Sequence, residues 1–319
     1  MNDQKKLVSL LVPAYNEEGN IPSVIERLTK QALNLGHLYD FEFLVMDNCS
    51  TDRTRELVLA QCKIDPRWKF LRYSRNFGAE ASVLAGFDHV KGDAAIIIFS
   101  DLQDPPENIP IMLEKWHAGA EVVYGVINER NDSNPLKTIG AKIAYFLIHK
   151  LTESKIPPNA TDFRLLDRKV VDALKTLREP DRYFRGLVHW VGFKQDSFVY
   201  DRHKRVAGKS NAGILYCIKF ALHAITCFSS KPMHLSMFFG LGLTSLSIFG
   251  SIVYAALYFI KPSFMSAPPP GITTLIILAL FLVGLNSLFL GIIGEYVGRI
   301  YRQGKNRPLY IVAESVNLS

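Results

Sequence analysis

The sequence predicts an α/β domain on a mostly parallel sheet, followed by two apolar helices long enough to cross a membrane. Three observations predict it. Apolar strand-like runs alternate with helical patterns through the first 130 residues. Polar clusters follow the first, second and fourth of those runs. After Leu235, two long stretches carry no Asp, Glu, Lys or Arg.

The chain has 319 residues, with 37 Lys+Arg against 30 Asp+Glu and a net charge of +7. At about 150 residues per domain this leaves room for two units and a core that needs no disulfide staples. With 48% hydrophobic residues the composition excludes a disordered chain. Cys49, Cys62, Cys217 and Cys227 form no CxxC pair and read as reduced core residues. The eight His are scattered without an HExxH or similar ligand pair.

Strands are expected at Leu7–Pro13, Phe41–Asp47, Trp68–Tyr73, Ala94–Phe99 and Glu121–Val126. Helices are expected between them at Ile21–Leu35, Asp52–Lys63, Ala79–Val90 and Asn108–Ala118. The first run follows Lys5 and Lys6, but it is short for a signal peptide. It leads into Tyr15-Asn16-Glu17-Glu18 rather than a small-residue cleavage site, so it reads as a buried strand. Strands that are apolar throughout imply a parallel sheet covered on both faces, and ligands of such sheets gather beyond the carboxyl ends of the strands. From Leu136 to Ser210 the pattern mixes a helix near Leu136–Leu151, a strand at Asp162–Leu166, a helix near Asp181–Val191 and a strand at Lys194–Tyr200. It ends in the basic segment Asp201–Ser210.

Leu235–Ile260 and Gly271–Ile293 would span roughly 39 and 34 Å as helices, against a hydrocarbon core of about 30 Å. The loop between them holds one Lys. Lys219 and Lys231 precede the first, and Arg299, Arg302, Lys305 and Arg307 follow the second. That asymmetry predicts a multi-pass protein of the cytoplasmic membrane with both termini in the cytoplasm. Ile214–Phe228 has helical apolar spacing and reads equally as an interfacial helix or a packed core helix. The expected divisions are a cytoplasmic domain at 1–210, a juxtamembrane segment at 211–230, a membrane hairpin at 231–298 and a cytoplasmic tail at 299–319. The spans carry no ionisable residue, which suits an anchor rather than a substrate pathway.

Neither a GxGxxG after a strand nor a GxSxG elbow is present. Gly208-Lys209-Ser210 resembles the end of a phosphate-binding loop, but the first glycine of that motif is His203 here. What remains is a set of acidic groups at strand ends. Asp101, Gln103 and Asp104 precede Pro105-Pro106, which fixes the turn. Oxygen ligands there suit Mg²⁺ or Mn²⁺ bridging a diphosphate, since such an ion needs only one or two carboxylates from protein. A solvated turn with a helix cap is the plainer alternative. Asp47 and Asp52 likewise read either as a strand end and a helix cap or, for Asp47, as a partner of a nucleobase or ribose.

Val12-Pro13-Ala14-Tyr15-Asn16-Glu17, Asp47-Asn48-Cys49-Ser50-Thr51-Asp52, Ser74-Arg75-Asn76-Phe77-Gly78 and Asp101-Leu102-Gln103-Asp104-Pro105-Pro106 carry a resemblance. In order and spacing they are similar to the family 2 glycosyltransferases of GT-A fold, and in particular to the polyprenyl-phosphate glycosyltransferases. The two apolar stretches, Gly294–Tyr301 and Arg307-Pro308-Leu309-Tyr310 resemble the bactoprenol glucosyltransferases among them. The resemblance implies nucleotide contacts at Pro13, Tyr15, Glu17, Asp47, Ser50, Asn76 and Gly78. It implies a metal on Asp101 and Gln103. Asp162, in Thr161-Asp162-Phe163-Arg164-Leu165, joins Asp101 and Asp104 at the reaction centre. Phosphate or acceptor contacts are implied at Arg182, Arg185, Arg202, Arg205, Lys209 and Ser210. The family usually has an Asp two residues before Asp101, where this chain has Phe99; Gln103 could replace that ligand.

The implied reaction is inverting transfer of a sugar, glucose from UDP-glucose, to undecaprenyl or another polyprenyl phosphate. Such a phosphate monoester is largely dianionic at pH 7 and needs no strong general base. The protein would align it with the anomeric carbon and neutralise the leaving diphosphate. The expected partners are a nucleotide sugar, a polyprenyl phosphate and the membrane, with a homo-oligomer such as a tetramer and no nucleic acid. The open alternatives are another donor (GDP-mannose, UDP-N-acetylglucosamine or UDP-aminoarabinose) and a non-catalytic nucleotide-sugar-binding membrane scaffold, the latter motivated by Phe99.

Overall fold

The computed structural model describes residues 5–128, 159–202, 231–260 and 272–318. The expected helices near Leu136–Leu151 and Ile214–Phe228, the loop Lys261–Pro270, and Arg205, Lys209 and Ser210 lie outside the described residues.

The chain divides into two units, residues 1–227 with 307–319, and residues 228–306. The first is an α/β domain. Its elements run β1 (Lys6–Ala14), α1 (Ile21–Leu35), β2 (Tyr39–Asp47), α2 (Thr54–Ile64), β3 (Trp68–Tyr73), α3 (Ala79–His89) and β4 (Ala94–Ile97). A 3₁₀ turn at Pro106–Asn108 leads into α4 (Ile109–His117), then β5 (Val122–Ile127), β6 (Ala160–Asp167), α5 (Arg168–Thr176), α6 (Phe184–Trp190) and β7 (Gln195–Tyr200). The final strand, β8 (Val312–Val316), comes after the apolar helices α7 (Lys231–Ile260) and α8 (Ile272–Gly304) of the second unit.

β1 is buried from Val8 to Ala14, and β2 is buried at every residue but Asp40. A strand apolar on both faces can sit only between two helical layers. The helices supply matching faces: α1 buries Ile21, Val24, Leu28 and Ala32 at helical spacing. The sheet order is β7-β5-β6-β4-β1-β2-β3-β8. β1 pairs in parallel with both β2 and β4, so the chain reverses its winding there and opens a crevice at the carboxyl ends of these three strands.

The sheet is mostly parallel, as the sequence pattern predicts, with two strands reversed. β6 runs antiparallel to β4 and β5, and β8 runs antiparallel to β3. The reversal of β6 has a functional result. Pairing of Ile97 with Arg164 carries Asp162 just beyond the carboxyl end of β4, onto the crevice edge. β4 also stops at Ile97 rather than Phe99, which leaves residues 98–104 to line that edge.

β8 lies inside the stretch 299–319, expected to be a cytoplasmic tail. Arg55 clamps Glu314 through two bonds of 2.8 and 2.7 Å. Asn317 donates to the Cys62 and Trp68 carbonyls at 3.0 and 2.8 Å. The Tyr310 hydroxyl donates to Asp88 at 2.7 Å.

In the second unit, α7 and α8 present large apolar side chains outward, with Phe238, Phe249 and Phe281 each at least 60% exposed. Among the described residues one stretch, Phe281–Gly304, is long and apolar enough to cross a membrane; Ser236–Gly250 is a shorter apolar helix.

Candidate active site

Four loops meet at the crevice edge, and their own polar groups lock them together. The loop after β1 turns at Asn16, whose φ of 55° lies in the left-handed region that asparagine tolerates. Its backbone N–H groups donate to the loop after β2: Asn16 to Ser50 Oγ at 2.9 Å, Glu17 to Thr54 Oγ1 at 2.9 Å and Glu18 to Asp52 at 3.0 Å. In return Thr51 N donates to Asn16 Oδ1 at 2.8 Å. Asn48 fixes the third loop, accepting from Phe77 N at 3.0 Å and donating to the Gly78 carbonyl at 3.1 Å. Gly78 has a φ of 92°, a conformation open to glycine. Ser100 Oγ donates to the Pro13 carbonyl at 3.0 Å and fixes the fourth.

Asp47 ends β2 directly beside Ala14 and is fully buried. Its Oδ1 accepts the Ser50 N–H at 2.9 Å. Its Oδ2 has Arg72 Nε at 3.4 Å but no hydrogen bond among the described residues. A buried carboxylate oxygen left without a donor costs about 1–3 kcal/mol, so it is a place where an incoming N–H or O–H is favoured. Tyr15, 46% exposed, stands on the loop beside it. Pro13 is buried, and Asn76 spends its side-chain oxygen on Gly78 N at 2.8 Å. Ser50 and Asn76 thus act as the frame of the loops.

Leu102 has a φ of 50° and is buried, so it anchors a turn whose neighbours Asp101 and Gln103 stay partly exposed. Gln103 N donates to Asp101 Oδ1 at 3.3 Å. Among the described residues no group of three or more His, Cys, Asp and Glu comes together. A metal held wholly by protein therefore does not fit there. A divalent ion held by one carboxylate and one amide oxygen, and otherwise by diphosphate and water, does fit this donor set.

Asp104 faces elsewhere. It is buried, accepts from the Tyr200 hydroxyl and has Arg202 Nε at 3.4 Å. Burial raises its carboxyl above the ordinary value despite Arg202. Gly125 makes this contact possible: a Cβ there would stand 2.5 Å from the Tyr200 ring. The Tyr200 hydroxyl also lies 3.2 Å from Thr161 Oγ1, within hydrogen-bond distance.

Asp162 is gripped by Arg185 through bonds of 2.8 and 2.7 Å, a two-pronged ion pair that leaves each side chain about a quarter exposed. Burial opposes ionisation of Asp162, but Arg185, Arg164 and Arg202 outweigh it and hold the carboxyl below its usual range. Asp162 is therefore an anion at neutral pH, poorly suited to carry a proton. Phe99, Asp104, Thr161, Asp162, Arg185 and Arg202 line a pocket of about 50 Å³.

Three residues here were not singled out from sequence. Arg164 is fully buried, donates Nε to the Thr161 carbonyl at 2.9 Å, and has its guanidinium over the Tyr124 and Phe184 rings. Burial lowers it to about 10. An Arg inside an apolar strand, two residues from Asp162, was the available signal. Tyr200 closes an expected strand and reads there as a core aromatic. Glu80 follows Gly78 by two residues, just past the motif that drew notice; burial pushes its carboxyl up to about 7.

Residues 9–175 match the Glycosyl transferase family 2. The chain is 39% identical over 310 residues to an uncharacterized glycosyltransferase of Bacillus subtilis, covering 97% of this chain and 94% of that one. It is 38% identical over 308 residues to the SfII prophage-derived bactoprenol glucosyl transferase of Shigella flexneri, covering 97% and 98%. To the prophage bactoprenol glucosyl transferase homolog of Escherichia coli it is 35% identical, covering 96% and 98%. Among solved structures, a glucosyl-3-phosphoglycerate synthase from Mycobacterium tuberculosis aligns with 69% of this chain and 78% of its own, at 18% identity and a TM-score of 0.47. With its α/β domain of GT-A type and a family match over residues 9–175, the chain belongs to the family 2 glycosyl transferases.

Proposed function

We propose that this chain transfers glucose from UDP-glucose to a polyprenyl phosphate at the cytoplasmic face of a membrane, with inversion at the anomeric carbon. The observation that carries this reading is the 38% identity to a bactoprenol glucosyl transferase over 97% of the chain, which takes in both the α/β domain and the apolar helices.

The crevice supports a division of labour. Asp47 Oδ2 would accept the uracil N3–H, with Tyr15 and Glu17 on the adjoining loop beside the nucleoside. Asp101 and Gln103 would hold Mg²⁺ or Mn²⁺, which neutralises charge on the leaving diphosphate. An oxygen of the acceptor phosphate attacks the anomeric carbon, the bond from that carbon to the diphosphate oxygen breaks, and UDP leaves. Arg182, Arg185 and Arg202 would receive the phosphate, and the basic residues Arg205 and Lys209, with Ser210, follow Arg202 in the sequence as further candidates. Asp162 orients Arg185 rather than taking a proton, and Asp104 orients Arg202 and Tyr200.

Two membrane spans, α7 and α8, would suit this placement: β8 belongs to the same sheet as β1 to β7, so a chain that entered the membrane after β7 would return to the same side before β8. Purified full-length protein, given radiolabelled nucleotide sugars and one polyprenyl phosphate, tests the reading. Label from UDP-glucose should enter the lipid with release of UDP. Label from a different donor alone would overturn the sugar, and binding without UDP release would make the chain a scaffold.

A further inference from the structure

We propose that Glu80 is a positioning residue for the acceptor phosphate, acting through Arg182 and Arg185 and competing with the phosphate for their charge. This rests on the reading that those two arginines receive the acceptor.

Glu80 stands in the first turn of α3 and interacts with groups on β6 and at the start of α6. It accepts the backbone N–H of Phe184, the first residue of α6. That N–H would otherwise be one of the orphan donors of a helix start. Its Oε2 is buried and has no hydrogen bond among the described residues. The charges around it are Asp162 on β6, Arg182 just before α6 and Arg185 within α6. Arg182 is itself buried, and its guanidinium donates to the Leu177 carbonyl. Burial of Arg182 weakens its hold on a proton, and Glu80 is foremost among the groups that restore it.

A carboxylate wedged beside two arginines in an anion site has two consequences. It sets where the guanidiniums lie, through α6 and through charge. It would also repel the negative oxygens of a phosphate monoester held by those arginines. Burial, reinforced by Asp162, pushes Glu80 up to about 7, so Glu80 is neutral below that pH and charged above it. If the phosphate binds only the neutral form, apparent affinity falls with the neutral fraction, by about tenfold at pH 8 and hardly at all at pH 6.

The test is Glu80→Gln, whose amide oxygen keeps the bond to Phe184 N and removes the charge. Binding of a short-chain polyprenyl phosphate to full-length protein in detergent is measured by calorimetry at pH 6 and pH 8, for wild type and E80Q. E80Q should bind about tenfold more tightly than wild type at pH 8 and equally at pH 6. The phosphate's own titration affects both proteins alike and cancels in the ratio. Glu80→Asp, which keeps the charge, should retain the wild-type pH dependence. An E80Q to wild-type ratio that is the same at both pH values would overturn the proposal and leave Glu80 a cap of α6. No saturable lipid-phosphate binding by wild type would instead overturn the acceptor reading, and this proposal with it.

Discussion

Asp47→Asn separates nucleobase recognition from loop architecture. In wild type, Oδ1 holds Ser50 N at 2.9 Å, and Oδ2 is the buried acceptor with no hydrogen-bond donor among the described residues. Asparagine can keep its oxygen toward Ser50 and so preserve the loop. It then places an N–H₂ where Oδ2 was, facing the N3–H of uracil donor to donor. A hydrogen bond to a charged acceptor contributes about 1.5–3 kcal/mol, so its loss should weaken UDP about 10- to 150-fold. The Arg72 side chain, a quarter exposed and donating to the Ser50 carbonyl at 3.0 Å, can tolerate the lost charge. Calorimetry with UDP and with CDP is the assay, alongside a melting curve to show that the fold holds. Cytosine offers an acceptor at N3, which suits the asparagine N–H₂, so the preference for UDP over CDP should narrow. A D47N protein with unchanged melting, unchanged UDP affinity and an unchanged UDP to CDP ratio would refute the assignment.

Asp101→Asn, or chelation of divalent ions, should cut sugar transfer at least 100-fold, with Mg²⁺ or Mn²⁺ restoring only the chelated wild type; a rate untouched by chelator counts against Asp101 and Gln103 as ligands. Arg185→Lys exchanges a two-pronged grip on Asp162 for a point contact, and the KM for lipid phosphate should rise about tenfold while the Kd for UDP stays fixed, so an equal change in both would assign Arg185 to the fold. Glu42 is buried, yet donors from Lys69, Ser9 and Lys91 N outweigh that burial and hold it below the ordinary carboxyl value. A lowered value contributes stability above about pH 4.5 that is lost as pH falls, so the melting gap between wild type and Glu42→Gln should be widest at pH 7 and close below pH 4.5. Gly92→Ala would set a Cβ 2.8 Å from the Leu7 carbonyl and the Ser9 N–H group's nitrogen, and should lower stability by about 1–3 kcal/mol; an unchanged melting temperature would show that β1 can shift aside.

The crevice is legible in the sequence because the residues that form it are local. Asp47 and Asp101 each follow an apolar run, and an apolar run flanked by helices has only one end where ligands bind. Asp162 was placed from its motif, but nothing in its neighbourhood states that β6 runs backwards; strand direction depends on a partner more than sixty residues away at β4. Glu80 was hidden for a different reason. A glutamate in a helix's first turn is ordinary helix chemistry, and only the packing of α6 against it reveals the buried, crowded carboxyl. Arg164 was passed over because its guanidinium is matched to the Tyr124 and Phe184 rings of other elements, contacts that leave no periodic signature. β8 was missed because Val312-Ala313-Glu314-Ser315-Val316 has β-branched residues only at its two ends, with no apolar run between them; its pairing comes from β3, more than 200 residues earlier.

That last pairing dictates an order of assembly. At about 5–20 residues per second, Val312–Val316 leave the ribosome roughly 10–50 s after Trp68–Tyr73. In that interval the N–H and C=O groups on one side of β3 face no partner, a ready seam for misjoining between nascent chains. Val312–Val316 are thus the bolt of a door framed hundreds of residues earlier, and a chain stopped before them would be released with the door ajar.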